Sequence, residues 1–286
     1  AQATSAPGVR GGSAEGFGDR SDMAASIPSR FSDPKILLVG DSLTQHGHSE
    51  IGGWGCRLTK QFLRRADVIN RGLSGWTSKW CLQHIDRVLD AGGSTGKYEF
   101  ITLWLGANDA TLPEDRDGRF TVPVPEFRAN MEALMRKCAV RTDLLIVLGC
   151  PPVCEAGRER FQIARYGKYT VGRTSENTKR YADAAREVAE RMRQEFSGEG
   201  GIGCSVEYID VHSLLYEQRS EYLPDGLHLN FAAEALVLAE LQTILEKHGL
   251  AVRPDPVSGD DSRPGSSCDR LPEPMLPWHD DAHKLP

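Results

Sequence analysis

From Pro34 to Gly249 the chain alternates between short apolar runs and longer segments with a one-sided apolar stripe, and this alternation restricts the fold more than any other feature. The runs are "KILLVG" (35–40), "ADVINRG" (66–72), "FITLWLG" (100–106), "DLLIVLGC" (143–150) and "SVEYIDV" (205–211). Apolar stretches of this length without polar alternation suit strands covered on both faces, the condition of a parallel sheet. Between them, "VPEFRANMEALMRKCAV" sets Phe127, Met131, Leu134, Met135 and Cys138 on one helical stripe. "SENTKRYADAAREVAERMRQEF" reads as a longer charged helix, and "NFAAEALVLAELQTILEKHG" closes the series with Gly249 as its stop. Strand–helix alternation of this kind predicts an α/β fold, a three-layer α/β/α sandwich on a five-stranded parallel sheet spanning 34–252.

The flanks differ in composition. Residues 1–33 are rich in Gly, Ser and Ala and lack the apolar core of a secretory signal, so disorder is expected there. Residues 253–286 hold seven of the 16 prolines and read as an extended tail, with the apolar "MLPW" at 275–278 able to dock back. A formal charge of −6 gives no basic surface, which argues against nucleic acid as a partner, and no apolar run reaches the length of a membrane span. The seven cysteines are scattered, several within apolar segments. That suits free thiols in a reducing compartment better than a disulfide framework, and a cytoplasmic location is the expectation. Cys150 and Cys154, the one close pair, lack a second ligand pair, and the loop histidines of "HGH" (46–48) lack a third ligand and are expected to face solvent; no metal and no cofactor are predicted. Homo-oligomerisation is left open.

Four junctions carry residue sets that ordinary loops do not require: "GDSLTQ" after the first run, "NRGLSGW" after the second, "GAND" after the third and "PDGLHLN" before the last helix. In an open parallel sheet the loops at the carboxyl ends of the strands gather at one crevice. Together they contain what acyl transfer needs. Ser42 supplies an oxygen nucleophile, His228 a base, and Asp225 a carboxylate three residues away to orient that base. The backbone amides of Ser42 and Gly72 and the side-chain amide of Asn108 are candidate oxyanion donors. Taken singly, each block also has a plain structural reading: Gly-Asp-Ser as a turn and helix N-cap, "DGLH" as a turn, Asn108-Asp109 as a local cap, Gly72 and Gly75 as loop glycines. Asp41, Leu43, Trp54, Leu73, Trp76, Asp109 and Leu112 lie near the blocks as candidate substrate-pocket residues, as does Trp104, with core packing the competing role. No Gly-x-Ser-x-Gly elbow, P-loop or dinucleotide glycine fingerprint is present.

In order and in position, these blocks resemble the SGNH hydrolases, also called GDSL esterases and lipases, with Ser42, Gly72, Asn108 and His228 at the four named positions and Asp225 as the acid. "DVINRGLSGWTSKWCLQ", "LWLGANDATLPE", "GCPPVCEAG" and "YLPDGLHLN" are closest to the isoamyl acetate-hydrolysing esterase subgroup, over about Lys35 to Glu246. The chain departs from that pattern at Leu73 and Trp76. The resemblance implies a flavodoxin-like sheet and cofactor-free hydrolysis of small, short-chain carboxylic esters through an acyl-enzyme on Ser42. Acyl transfer to an alcohol, carbohydrate deacetylation and a catalytically silent binding module are the alternatives.

Overall fold

A computed structural model describes residues 34–48, 52–90, 96–115 and 118–250. The expectations for 1–33 and for 253–286, docking through 275–278 included, lie outside the described residues. All five predicted strands form: β1 (Lys35–Gly40), β2 (Asp67–Gly72), β3 (Phe100–Trp104), β4 (Leu144–Leu148) and β5 (Ser205–Ile209). They pair in parallel in the order β2-β1-β3-β4-β5, the flavodoxin-like arrangement. Burial follows position. Ile36–Val39 of β1 and all of β3 and β4 are buried, whereas the edge strands β2 and β5 keep partly exposed residues.

Three strands end earlier than the apolar runs. β3 stops at Trp104, ahead of Gly106 with its positive φ. β4 stops before Gly149, whose amide still reaches Ile209 O, and Pro151 and Pro152 end the ladder there. β5 stops because the Asp210 carboxylate turns to cap the next helix, accepting from Ser213 N at 3.1 Å.

Nine helices occur among the described residues: α1 (Ser42–His46), α2 (Trp54–Gln61), α3 (Ser78–Asp90), α4 (Val124–Ala139), α5 (Glu155–Tyr166), α6 (Ser175–Ser197), α7 (Val211–Tyr216), α8 (Arg219–Tyr222) and α9 (Phe231–Lys247). Helices α3, α4 and α6 pack in one layer, and α2 and α9 in the other, which completes the three-layer sandwich. The predicted stripe on α4 is buried at every position named above. At about 1.5–3 kcal/mol for each large apolar side chain removed from water, that stripe outweighs the modest helix propensity of the segment.

Register places the chemistry. Gly40 pairs with Gly72 on one side and with Trp104 on the other, so the chain leaves β1, β2 and β3 at one level. "GDSL", "GLSGW" and "GAND" therefore begin side by side at the carboxyl edge of the sheet.

Candidate active site

The Asp41 side chain caps α1, with Oδ1 accepting from Leu43 N at 2.9 Å, and this fixes the direction in which Ser42 leaves β1. A cap of this kind stabilises a helix start by about 1 kcal/mol. Trp54 secures the other side: its indole N–H donates to Leu43 O at 3.1 Å and its backbone amide donates to Glu234 Oε2 at 2.8 Å. Ser42 is largely buried, retaining 7% of its surface.

His228 and Asp225 come from one turn between α8 and α9. Asp225 Oδ1 accepts from the amides of Leu227 (2.9 Å) and His228 (2.7 Å), and Oδ2 accepts from His228 Nδ1 at 2.8 Å. With Nδ1 donating, Nε2 is left as an acceptor, and Ser42 Oγ stands 3.0 Å from it. Burial alone would raise the Asp225 carboxyl. The hydrogen bond and charge of His228, with the two backbone amides, outweigh it and hold the group well below the usual carboxylate range. Gly226 lets the turn close: its φ is +79°, and a Cβ there would lie 2.2 Å from Arg158 N and 2.5 Å from Cys154 O at the start of α5. Arg158 of α5 adds a weaker contact, Nη1 to Asp225 Oδ2 at 3.4 Å.

Asn108 enters from the loop after β3. Its Nδ2 donates to Trp76 O at 2.9 Å and lies 3.4 Å from Asp41 Oδ2, which ties together the loops after β1, β2 and β3. Asp109 turns the opposite way and accepts from Ser78 N at the start of α3 at 2.9 Å. Both buried carboxyls sit where ionisation is opposed. Burial pushes Asp41 up to about 6, despite the Leu43 amide and the charges of His228 and Arg173. Burial likewise pushes Asp109 up to about 7, against the hydrogen bonds from Ser78.

The predicted oxyanion donor Gly72 is placed differently. Its amide donates to Asn70 Oδ1 at 2.8 Å, and a Cβ on it would lie 2.2 Å from Gln45 N. Gly72 is thus a close-packing position between β2 and α1, and its N–H is already engaged. Three residues on, Gly75 has φ +81° in the turn closed by Trp76 N and Leu73 O at 3.0 Å. The amides of Gly75 and Ser42 have no hydrogen-bond partner among the described residues. A glycine in a Ser-Gly dipeptide is the local signal for such a turn.

Of the predicted pocket residues, Asp41, Trp54 and Asp109 expose nothing, Trp104 exposes 1% and Leu43 5%. They are core residues under the loops, with little or no surface to offer a substrate. Leu73, Trp76 and Leu112 keep accessible surface, and Trp76 stacks on His84. The histidines expected in solvent are half-buried instead. His48 bridges Asn70 Nδ2 (2.7 Å) and Thr59 Oγ1 (2.9 Å), bracing the residue that holds Gly72. The His46 ring lies 5.3 Å from that of His228, and burial followed by the charge of His228 pushes it down to about 4. Sequence reasoning missed this network and both Arg158, which directly follows "GCPPVCEAG", and Arg173, which lies in a segment without any motif.

The sequence model of one family, described as GDSL-like lipase/acylhydrolase, matches residues 36–241. The chain belongs to that family. Among curated relatives, the isoamyl acetate-hydrolyzing esterase 1 homolog of Rattus norvegicus is 30% identical over 220 residues, covering 75% of this chain and 82% of the relative. A GDSL esterase/lipase of Arabidopsis thaliana is 32% identical over 229 residues, 76% and 87% of the two chains. Among solved structures, a lipase/acylhydrolase from Enterococcus faecalis aligns with TM-score 0.56 at 20% identity, covering 78% of this chain and all of the other. Axe2, an acetylxylan esterase from Geobacillus stearothermophilus, gives 0.55 at 16% identity over 78% and 97%. These two likenesses are of the fold. Family membership makes the GDSL domain an ester hydrolase, and no helix among its described residues is long and apolar enough to cross a membrane.

Proposed function

We propose that this GDSL domain is a serine esterase that hydrolyses small, acetate-like carboxylic esters through an acyl-enzyme on Ser42. The observation that carries the reading is the unbroken relay from Asp225 Oδ2 to His228 Nδ1 at 2.8 Å and from His228 Nε2 to Ser42 Oγ at 3.0 Å. His228 takes the Ser42 proton as Oγ attacks the ester carbonyl, and Asp225 stabilises the imidazolium that forms. His228 then protonates the departing alcohol. Water repeats the sequence on the acyl-enzyme and releases the acid. The tetrahedral oxyanion is held by the Ser42 amide, the Asn108 side chain and, in place of Gly72, the amide of Gly75. Leu73, Trp76 and Leu112 form the substrate-facing wall, and the six free thiols among the described residues suit a reducing, cytoplasmic setting.

A p-nitrophenyl ester series from acetate to palmitate, run on wild type and Ser42→Ala, tests both parts of the reading. The expected result is a short-chain optimum in wild type and a loss of about 10⁴-fold or more in the variant. A long-chain optimum would overturn the substrate assignment, and a Ser42→Ala variant that keeps most of its activity would overturn the mechanism.

A further inference from the structure

Arg173 lies in the segment between α5 and α6, far in sequence from every block of the site, yet its guanidinium ends on the Asn108 loop. Nε donates to Ala107 O at 2.7 Å and Nη2 donates to Asn108 Oδ1 at 3.0 Å. Both acceptors are neutral. No carboxylate among the described residues forms an ion pair with it; Asp115 and Asp41 act on it only through space. Burial, and then repulsion by Arg158, pull the guanidinium down to about 10, so it is still protonated at neutral pH. A part-buried cation without a paired anion still carries a desolvation cost, and such costs are found where a charge has a task.

The chemistry of the two groups defines that task. A guanidinium has donors only, so the amide of Asn108 can meet it in one orientation, oxygen toward Arg173 and nitrogen away. In that orientation Nδ2 faces Trp76 O and the Oδ2 of Asp41, the residue that precedes Ser42. One amide hydrogen is committed to Trp76 O, while the 3.4 Å separation from Asp41 Oδ2 leaves the other only weakly engaged. A positive charge on the amide oxygen also draws density from the nitrogen and strengthens its N–H as a donor. The second contact, to Ala107 O, clamps the backbone next to the same side chain.

We propose that Arg173 is the positioning residue of the oxyanion site: it locks the Asn108 amide with its nitrogen toward the reacting carbonyl and polarises it for the developing negative charge. The proposal rests on the esterase reading above and adds a residue to it. Because the effect runs through Asn108 and concerns the transition state, loss of Arg173 lowers kcat and kcat/KM together and leaves KM nearly unchanged.

The test is steady-state hydrolysis of p-nitrophenyl acetate by wild type, Arg173→Gln, Arg173→Lys, Asn108→Ala and the two double variants with Asn108→Ala, with a thermal melt of each. Arg173→Gln is expected to lose about 10–100-fold in kcat with KM within about 2-fold, and Asn108→Ala about 10²–10³-fold. Each double variant is expected to be no slower than Asn108→Ala by more than about 2-fold, since the arginine has nothing left to orient. Arg173→Lys keeps a charge without the fork and is expected to fall between wild type and Arg173→Gln. Folded Arg173→Gln within about 3-fold of wild-type kcat would overturn the proposal, as would losses at the two positions that multiply in the double variant. If Arg173→Gln melts below the assay temperature, Arg173→Lys decides instead: a kcat equal to wild type, or a loss that multiplies with that of Asn108→Ala in the double variant, would overturn the proposal. Ser42→Ala assayed alongside separates the two claims: activity retained there removes the esterase mechanism, whereas additivity removes only the role of Arg173.

Discussion

The acid–base and oxyanion halves of the proposed site are built in different ways. The acid–base half is local: Asp225 and His228 are three residues apart on one glycine turn, and Asp225 holds His228 by both its side chain and its backbone amide. The oxyanion half is assembled from the loops after β1, β2 and β3, with Asn108 tied to Asp41 and Trp76 and held from behind by Arg173, 65 positions away. A local turn forms its geometry as soon as its own residues are correct. An assembled loop cluster has the correct geometry only when the sheet register and several remote contacts are correct together. The halves also differ in charge, since Asp225 is driven to ionise while Asp41 and Asp109 are driven toward their protonated forms.

The largest effect is expected where the local half is broken at its centre. Asp225→Asn keeps an oxygen for the backbone amides of Leu227 and His228 but turns a donor toward His228 Nδ1, which favours the wrong imidazole tautomer. A loss of about 10⁴-fold in kcat is expected with little change in melting temperature. A loss below about 10-fold in a folded variant would show that Asp225 does not orient the base. On the assembled half, Asn108→Ala is expected to cost about 10²–10³-fold in kcat, because one donor of several is lost and the others stay. If its loss equals that of Asp225→Asn, the oxyanion half is as indivisible as the acid–base half and the contrast fails.

The glycine pair sharpens the assembled half further. In Gly72→Ala the new Cβ would meet the backbone of Thr44 and Gln45 at 2.7 and 2.2 Å, so the variant is expected to lose about 2–3 kcal/mol of stability as α1 is pushed from β2. In Gly75→Ala the added methyl meets only Phe120 among the described residues, at 3.5 Å, but φ +81° strains an L-residue by about 1 kcal/mol. Its main effect is expected on turnover, about 10-fold in kcat, as the amide swings out of line. Urea melts and kcat measured on the same preparations check both. The opposite pattern, with Gly72→Ala stable and slow and Gly75→Ala unstable and fast, would return the oxyanion role to Gly72.

What could be read from the sequence divides along the same line. The central strands were legible because a strand covered on both faces has to be apolar throughout, and Ile36–Val39 and Leu144–Leu148 are. The i, i+3 spacing of Asp225 and His228 carried its own geometry. Gly72 and Gly75 could not be told apart in "RGLSGW", because the difference lies in which amide Asn70 occupies and which residue takes a positive φ, both set by packing against α1. Trp54 and Trp104 near the blocks looked as suited to a pocket as to a core, and only the second layer of helices decides that they are core. Arg173 had no local signal at all, since its partners are a backbone carbonyl and a side-chain oxygen on a loop brought to it by the fold.

The smallest expected effect concerns stability and tests the charge contrast directly. The Asp109 carboxyl is pushed up by burial to about 7 from an ordinary value of 3.8, so between about pH 4 and 7 the folded chain binds a proton that the unfolded chain has released. Stability from this group is therefore fully present below about pH 4 and is lost as pH rises through about 7. Asp225, held low, acts in the opposite sense: its contribution is present at neutral pH and is lost as the solution is acidified below the usual carboxylate range. Asp109→Asn imitates the protonated acid and removes only the first of these terms. Its melting temperature relative to wild type is expected to rise steadily from pH 4.5 to 7.5, the Asp225 term cancelling between the two proteins and the loss of the Asp41–Asp109 repulsion adding to the rise. Thermal melts at four pH values across that range measure the slope. A difference that stays flat would mean that Asp109 keeps its charge beside Ser78, and the two halves of the site would then rest on carboxylates of the same kind.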